Sequence, residues 1–272
     1  MVSFDATVLS HSRPRSRSSS VSTVSSTVAL PTFEALAPPR PPTTQDEEET
    51  LVQVDGLGRD VRLKVDAGPG CGGIAWPAGE VLSRYIAYRH SIDRSKLQNK
   101  KVIELGSGTG LVGIVAGMLE PSAEVWVTDQ EVLLDLMEIN AEFNIPSSSS
   151  LNNATSQSLK RGRNVHVAEL NWGEDIISSP LPIDECQLVL AADCVYFEPA
   201  FPLLVRTLCD LAPVSKDIEI LFCWKKRRKA DKRFFAMLKK HFDQHMVDDD
   251  RPGERERYNR EGVSLMRLVR RK

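Results

Sequence analysis

Apolar residues Leu51, Val52 and Val54, then Val61, Leu63 and Val65, recur with polar residues between them on either side of Asp55-Gly56-Leu57-Gly58. Near-alternate apolar positions around a turn-forming segment predict a β-hairpin. A Gly-rich stretch, 68–73, then leads through Trp76-Pro77 into a helix expected over about 78–90. From there short apolar runs alternate with segments whose apolar residues repeat every three or four positions. The pattern predicts strands at 102–105, 124–128, 165–170, 187–192 and 218–224, with helices at 110–119, 133–143 and 202–211 among them. A helix over 230–242 and two strand-like runs, 245–248 and 263–269, close the chain. Such alternation specifies an α/β fold: a mostly parallel, doubly wound sheet with helices on both faces and the hairpin as an N-terminal extension. In such sheets ligands bind at the carboxyl ends of the strands, which ranks the candidate motifs.

Composition adds an organisation to this pattern. Residues 1–49 are rich in Ser, Thr and Pro and contain too few large apolar side chains for a core, so they are expected to form a disordered arm, and 50–272 a single domain. Arginines at 13, 15 and 17 give the arm some resemblance to a transit peptide, but Asp5 and the acidic run Asp46-Glu47-Glu48-Glu49 weaken it. With 41% hydrophobic residues and no apolar run of membrane length, a soluble, cytoplasmic protein without membrane contact is expected. A net charge of −2 confines any nucleic-acid footprint to a local patch. The five cysteines (71, 186, 194, 209 and 223) form no CxxC pair, and four lie in or beside apolar segments. They read as reduced core thiols. The sequon at Asn153 lacks a secretory context, and no metal is expected.

The chemistry concentrates in three places. In Glu104-Leu105-Gly106-Ser107-Gly108-Thr109-Gly110 a strand ends, a glycine turn follows and a helix opens, so backbone N–H groups can approach a ligand closely. Leu111 stands where a dinucleotide fingerprint needs glycine, and the Gly-Lys-Ser/Thr ending of a phosphate loop is absent. Asp129, closing the next strand, can accept both hydroxyls of a ribose. The second place is Asp193-Cys194-Val195-Tyr196, just past the end of a strand, where the two polar side chains can share one side of a turn. The third is Lys225-Lys226-Arg227-Arg228-Lys229-Ala230-Asp231-Lys232-Arg233, which the strand order puts on the rim of the same crevice. It is either a solvated or localisation patch or a docking strip for an acidic protein surface or RNA.

The E-x-G-x-G-x-G loop with Asp129 resembles the class I, seven-stranded S-adenosylmethionine-dependent methyltransferases, which have a Rossmann-like sheet. Trp76 in Gly72-Gly73-Ile-Ala-Trp76-Pro77, Trp172 in Leu170-Asn171-Trp172-Gly173 and the Asp193–Tyr196 motif are together similar to the protein-lysine methyltransferases of family 16, over roughly residues 50–270. The resemblance implies S-adenosyl-L-methionine as cofactor, held by Trp76, Glu104, Gly106, Ser107, Gly108, Gly110, Asp129, Trp172 and Ala192. It implies Asp193 and Tyr196 as catalytic residues for a lysine acceptor. A carboxylate can receive the lysine ammonium and a phenol can orient the amine, while burial beside a sulfonium favours the neutral nucleophile. The sequence leaves open whether Asp193 takes the proton or only positions the amine, and whether its carboxylate caps a helix.

Within that family, Phe222-Cys-Trp-Lys-Lys-Arg-Arg-Lys-Ala-Asp-Lys-Arg-Phe-Phe is most similar to the fungal branch acting on translation elongation factor 1-alpha, which would make that protein the partner of a monomeric enzyme. Other acceptors remain open: an AAA-type ATPase, a heat-shock chaperone, or an RNA or small molecule. Against nucleobase methylation, the Asn/Asp-Pro-Pro-aromatic motif is absent. A catalytically silent binding module would share the fold but has no need of intact Gly106, Gly108, Asp129 and Asp193.

Overall fold

The structure, a computed structural model, describes residues 48–66, 68, 70–146, 162–177, 179–227, 229 and 231–272. Nearly all of the expected N-terminal arm, most of the polar loop with its four serines, and the sequon at Asn153 lie outside the described residues. So do Arg228 and Ala230 of the basic run.

Strands β1 (Glu48–Val52) and β2 (Val61–Val65) form the antiparallel hairpin, with Val52 opposite Val61 and Thr50 opposite Leu63. β1 begins before the boundary expected for the arm. Val61 and Leu63 are fully buried while Arg62 points outward, as strand alternation requires. Two asparagines of one helix attach the hairpin to the rest of the domain. Asn140 accepts from Lys64 N–H at 2.6 Å and donates to Lys64 O and Thr109 O, both at 3.0 Å. One turn further on, Asn144 accepts from Arg62 N–H at 3.0 Å and donates to Arg62 O at 2.7 Å. The helix thereby stands in for a strand along the free edge of β2.

The main sheet has seven strands: β3 (Lys101–Leu105), β4 (Glu124–Asp129), β5 (Val165–Glu169), β6 (Cys186–Ala192), β7 (Glu219–Lys225), β8 (Phe242–Met246) and β9 (Val263–Arg270), in the order β5-β4-β3-β6-β7-β9-β8. The first five run parallel, and β9 is antiparallel to both β7 and β8. Side chains alternate between two cores. Helices α1 (Pro77–Ile92), α2 (Leu111–Leu119) and α3 (Leu134–Asn144) contribute to one, together with Val102, Leu188, Leu190 and Leu221. Helices α4 (Phe201–Leu211) and α5 (Asp231–Leu238) contribute to the other, with Ile103, Leu105, Val189, Ala191 and Phe222. The doubly wound architecture is therefore as expected, and the sequence order reverses between β3 and β6.

Two differences lie near the C-terminus. The helix expected over 230–242 stops at Leu238, and Phe242 opens β8, which begins ahead of the expected run 245–248. Phe242 is fully buried and serves the core equally well from either element, so its hydrophobicity gave no boundary. A short charged helix, α6 (Glu254–Arg260), was not expected. It is held by the buried ring of Tyr258, whose hydroxyl donates to Asp250 at 2.6 Å.

Candidate active site

The switch between β3 and β6 sets the site. Leu105 lies beside Ala191, so the glycine loop leaving β3 and the Ala192–Asp193 end of β6 emerge together. Gly106, Gly108 and Gly110 have φ of 58°, 58° and 80°, the left-handed region that disfavours side chains. Space excludes them as well. A Cβ on Gly106 would stand 2.8 Å from Trp172 Cζ2, and one on Gly108 would stand 2.5 Å from Gly72 O. The Gly-rich stretch before α1 and the tryptophan after β5 thus both close against the loop.

Several expected cofactor residues brace the loop from beneath. Alternation in β3 sends Glu104 under the start of α2, where its carboxylate accepts from Gly113 N–H at 2.8 Å. Gly113 is small for the same reason, because a Cβ there would meet Glu104 Oε2 at 2.8 Å. Burial pushes the Glu104 carboxyl up to about 8. Ser107 is also turned inward: its N–H donates to Thr128 O at 3.0 Å, its hydroxyl donates to Glu104 O at 3.2 Å, and it accepts from Thr128 N–H at 2.9 Å. Asp129 meets the loop from the end of β4, accepting from Gly108 N–H and Gln130 N–H, each at 2.8 Å. Burial raises this carboxyl to about 6, so it is ionised at neutral pH with acceptor capacity remaining on both oxygens.

These features fit S-adenosylmethionine. A loop with no side chains gives close approach, an ionised acid at the second strand end suits a ribose, and half-buried tryptophans from two other segments supply flat apolar surface.

Asp193 is buried just beyond β6 with φ 59°, a left-handed backbone in a residue that is not glycine. Its N–H donates to Cys223 O at 2.8 Å. No helix starts there, so the carboxylate is not a cap. Instead Oδ1 accepts from Lys225 N–H at 3.1 Å and from Arg227 Nη1 at 2.6 Å, while Oδ2 accepts from Arg227 Nη2 at 2.8 Å. The same guanidinium lies 4.9 Å from the centroid of the Trp76 ring. Tyr196 is half-buried in the segment between β6 and the 3-10 turn Glu198–Ala200, and Ala192 ends β6 opposite Cys223. The site therefore brings together Trp76, the glycine loop, Asp129, Trp172 and Asp193.

Arg227 is the neighbour of Asp193 whose place sequence reasoning missed. It was grouped with the basic rim, yet it turns inward to Asp193, while Arg233 pairs with Glu198. Of the described rim residues, Lys226, Arg227, Lys229, Lys232 and Arg233 are exposed, and the Arg227 side chain keeps 26% of its surface open while it pairs with Asp193.

A cavity of about 510 Å³ lies elsewhere, at the amino ends of β3, β6 and β7. Both its lysines are paired, Lys101 with Glu185 at 2.8 Å and Lys216 with Asp184 at 2.7 Å, and it lies at the end of the sheet opposite the one where doubly wound folds bind ligands. Among the described residues no group of three or more His, Cys, Asp or Glu could hold a metal ion, and no helix is long and apolar enough to cross a membrane.

Comparison with known sequences matches residues 58–241 to a family described as lysine methyltransferase. The chain is 41% identical over 219 residues to protein-lysine N-methyltransferase EFM6 of Saccharomyces cerevisiae, covering 74% of this chain and 82% of that one. It is 36% identical to protein N-lysine methyltransferase METTL21A of Danio rerio, covering 66% of this chain and 73% of the relative. It is 33% identical to EEF1A lysine methyltransferase 3 of Mus musculus, covering 64% and 66%.

Proposed function

This chain belongs to the lysine methyltransferase family and is an S-adenosylmethionine-dependent protein-lysine N-methyltransferase, and from that premise we propose that its acceptor is a lysine of translation elongation factor 1-alpha, presented to Asp193. The observation that carries the site assignment is the register of β3 on β6, which puts the glycine loop and Asp193 at one crevice. The choice of acceptor is supported by the mouse relative named for EEF1A, elongation factor 1-alpha, and by the sequence resemblance around Phe222–Phe235.

Bound S-adenosylmethionine supplies the electrophilic methyl group. In the proposed assignment Asp129 takes the ribose hydroxyls, Trp172 and Trp76 line the pocket, and Gly106, Gly108, Gly110 and Ala192 let the cofactor lie against backbone. Glu104 and Ser107 act on the cofactor through the loop they brace. Asp193 Oδ2, which accepts one N–H among the described residues, has a lone pair left for an amine, and Tyr196, three residues on, is assigned to orient that amine. Transfer then needs mainly a neutral nitrogen held in line with the methyl group.

The test is incubation with methyl-labelled S-adenosylmethionine and either bacterially produced elongation factor 1-alpha or a eukaryotic lysate. Label on a lysine of the elongation factor supports the proposal. Label confined to an ATPase or chaperone overturns the acceptor but not the chemistry, and label on RNA overturns both. The exposed lysines of the rim make the RNA arm worth including.

A further inference from the structure

The fork that Arg227 makes on Asp193 has a consequence for the incoming amine. Oδ1 already accepts two N–H groups, so a lysine nitrogen reaching this carboxylate arrives at Oδ2, next to the guanidinium. Arg227 is held from three sides: both its Nη atoms are on Asp193, its guanidinium faces Trp76, and its own N–H donates to the buried Asp231 at 3.0 Å. Its side chain keeps 26% of its surface open, yet these contacts hold its positive charge beside the acceptor position, and a guanidinium stays charged at any pH where the enzyme works.

We propose that Arg227 is a positioning residue for methyl transfer: it fixes the Asp193 carboxylate and, as a permanent neighbouring cation, drives the substrate lysine to its neutral, nucleophilic form. This rests on the assignment of Asp193 as the amine's partner. The step balances simply. The ammonium gives a proton to water, the nitrogen lone pair forms the N–C bond, and the S–C bond breaks with its electron pair going to sulfur. A cation close by disfavours the protonated amine, whereas Asp193 alone would favour it. With Arg227 present, the carboxylate orients the nitrogen without holding its proton.

The other titratable groups around this position are few. Asp193, Cys194 and Tyr196 come from the end of β6, Cys223 and Lys225 from β7, Lys226, Lys229 and Asp231 from the turn into α5, and Glu104 and Asp129 from under the loop. Burial holds Cys194 and Cys223 well above the usual thiol range, so they stay neutral throughout. Burial raises Asp129 to about 6 and Glu104 to about 8, and both acids are present in wild type and variants, so the comparison reads the change that Arg227 makes.

The experiment is the pH profile of kcat, read at saturating acceptor so that it reports the enzyme-bound lysine, for Arg227→Met and Arg227→Lys against wild type. It uses full-length enzyme, saturating S-adenosylmethionine and the protein acceptor labelled in the assay above, with cofactor binding as the check of folding. Arg227→Met should move the acid limb up by about one pH unit, which is a roughly 10-fold loss on that limb that recovers at high pH, without raising KM. Arg227→Lys, which keeps the charge, should leave the limb near its wild-type position. A loss equal at all pH values, or a gain at all pH values, overturns the proposal. The first would make Arg227 merely structural, and the second would make it a plug that substrate must displace. If Asp193→Asn is as active as wild type, the assignment of Asp193 itself fails; if only the Arg227→Met limb stays in place, this inference fails alone.

Discussion

At the scale of the residue, two buried carboxylates under and beside one loop carry opposite duties. In the proposed role Asp129 is ionised and accepts two ribose hydroxyls, and burial raises its carboxyl to about 6. Cofactor affinity should therefore weaken as pH falls through 6, whereas Asp129→Asn should bind more weakly at neutral pH with that dependence gone; calorimetry between pH 5 and 8 checks both. Glu104 works as a strut. Its folded carboxyl titrates near 8 against an ordinary 4.5, so the folded state binds this proton more tightly than the unfolded chain does. Its contribution to stability is full below 4.5 and is lost as pH rises toward 8. Denaturant titrations should show Glu104→Gln flattening that part of the curve at a cost within about 1 kcal/mol, and Glu104→Ala losing about 3 kcal/mol by orphaning Gly113 N–H and opening a cavity.

The sequence displayed both acids because each sits at a fixed offset from a strand end. Arg227 was hidden by its neighbours. Among consecutive basic residues nothing local marks the one that turns inward, and only the adjacency of β6 and β7 shows that position 227 can reach Asp193.

At the scale of the element, α3 ties the hairpin to the cofactor loop. Asn140 alone joins β2 at Lys64 to Thr109 O in the loop. Asn140→Ala should cost about 2 kcal/mol, visible as a lower Tm. It should also speed amide exchange at Lys64 and weaken cofactor binding, while Asn→Ala changes elsewhere on exposed faces leave both unchanged. The periodicity of α3 was legible, but the role of its asparagines was not, because what they satisfy is the free edge of a strand far away in sequence. α6 was illegible for a related reason: its seven residues are almost all charged, and the ring that anchors it is a single Tyr258. By contrast, the five parallel strands and the helices between them were legible throughout, since each shows either an apolar run or helical periodicity and the two cores require both.

At the scale of the whole molecule, one topological fact organises the chemistry. The order of strands reverses between β3 and β6, and everything assigned to the reaction gathers at the carboxyl ends of those two strands and their neighbours. In the proposed assignment the glycine loop and Asp129 face the methyl donor and Asp193 with Arg227 faces the acceptor, while Trp76 touches Arg227 from the segment before α1. The exposed lysines beyond β7 follow the strand that carries Asp193's neighbours, and docking is the role proposed for them. A triple reversal of Lys226, Lys229 and Lys232 to Glu should thus raise KM for an acidic protein acceptor several-fold at low salt with little change in kcat.

The most direct test of the account compares wild type with Asp193→Ala, measuring cofactor affinity by calorimetry and lysine methylation of the acceptor by mass spectrometry. Asp193→Ala should bind cofactor within about 3-fold of wild type and methylate at a rate reduced by roughly 100-fold or more. A variant that binds cofactor normally and still methylates the same lysine at full rate would contradict the account.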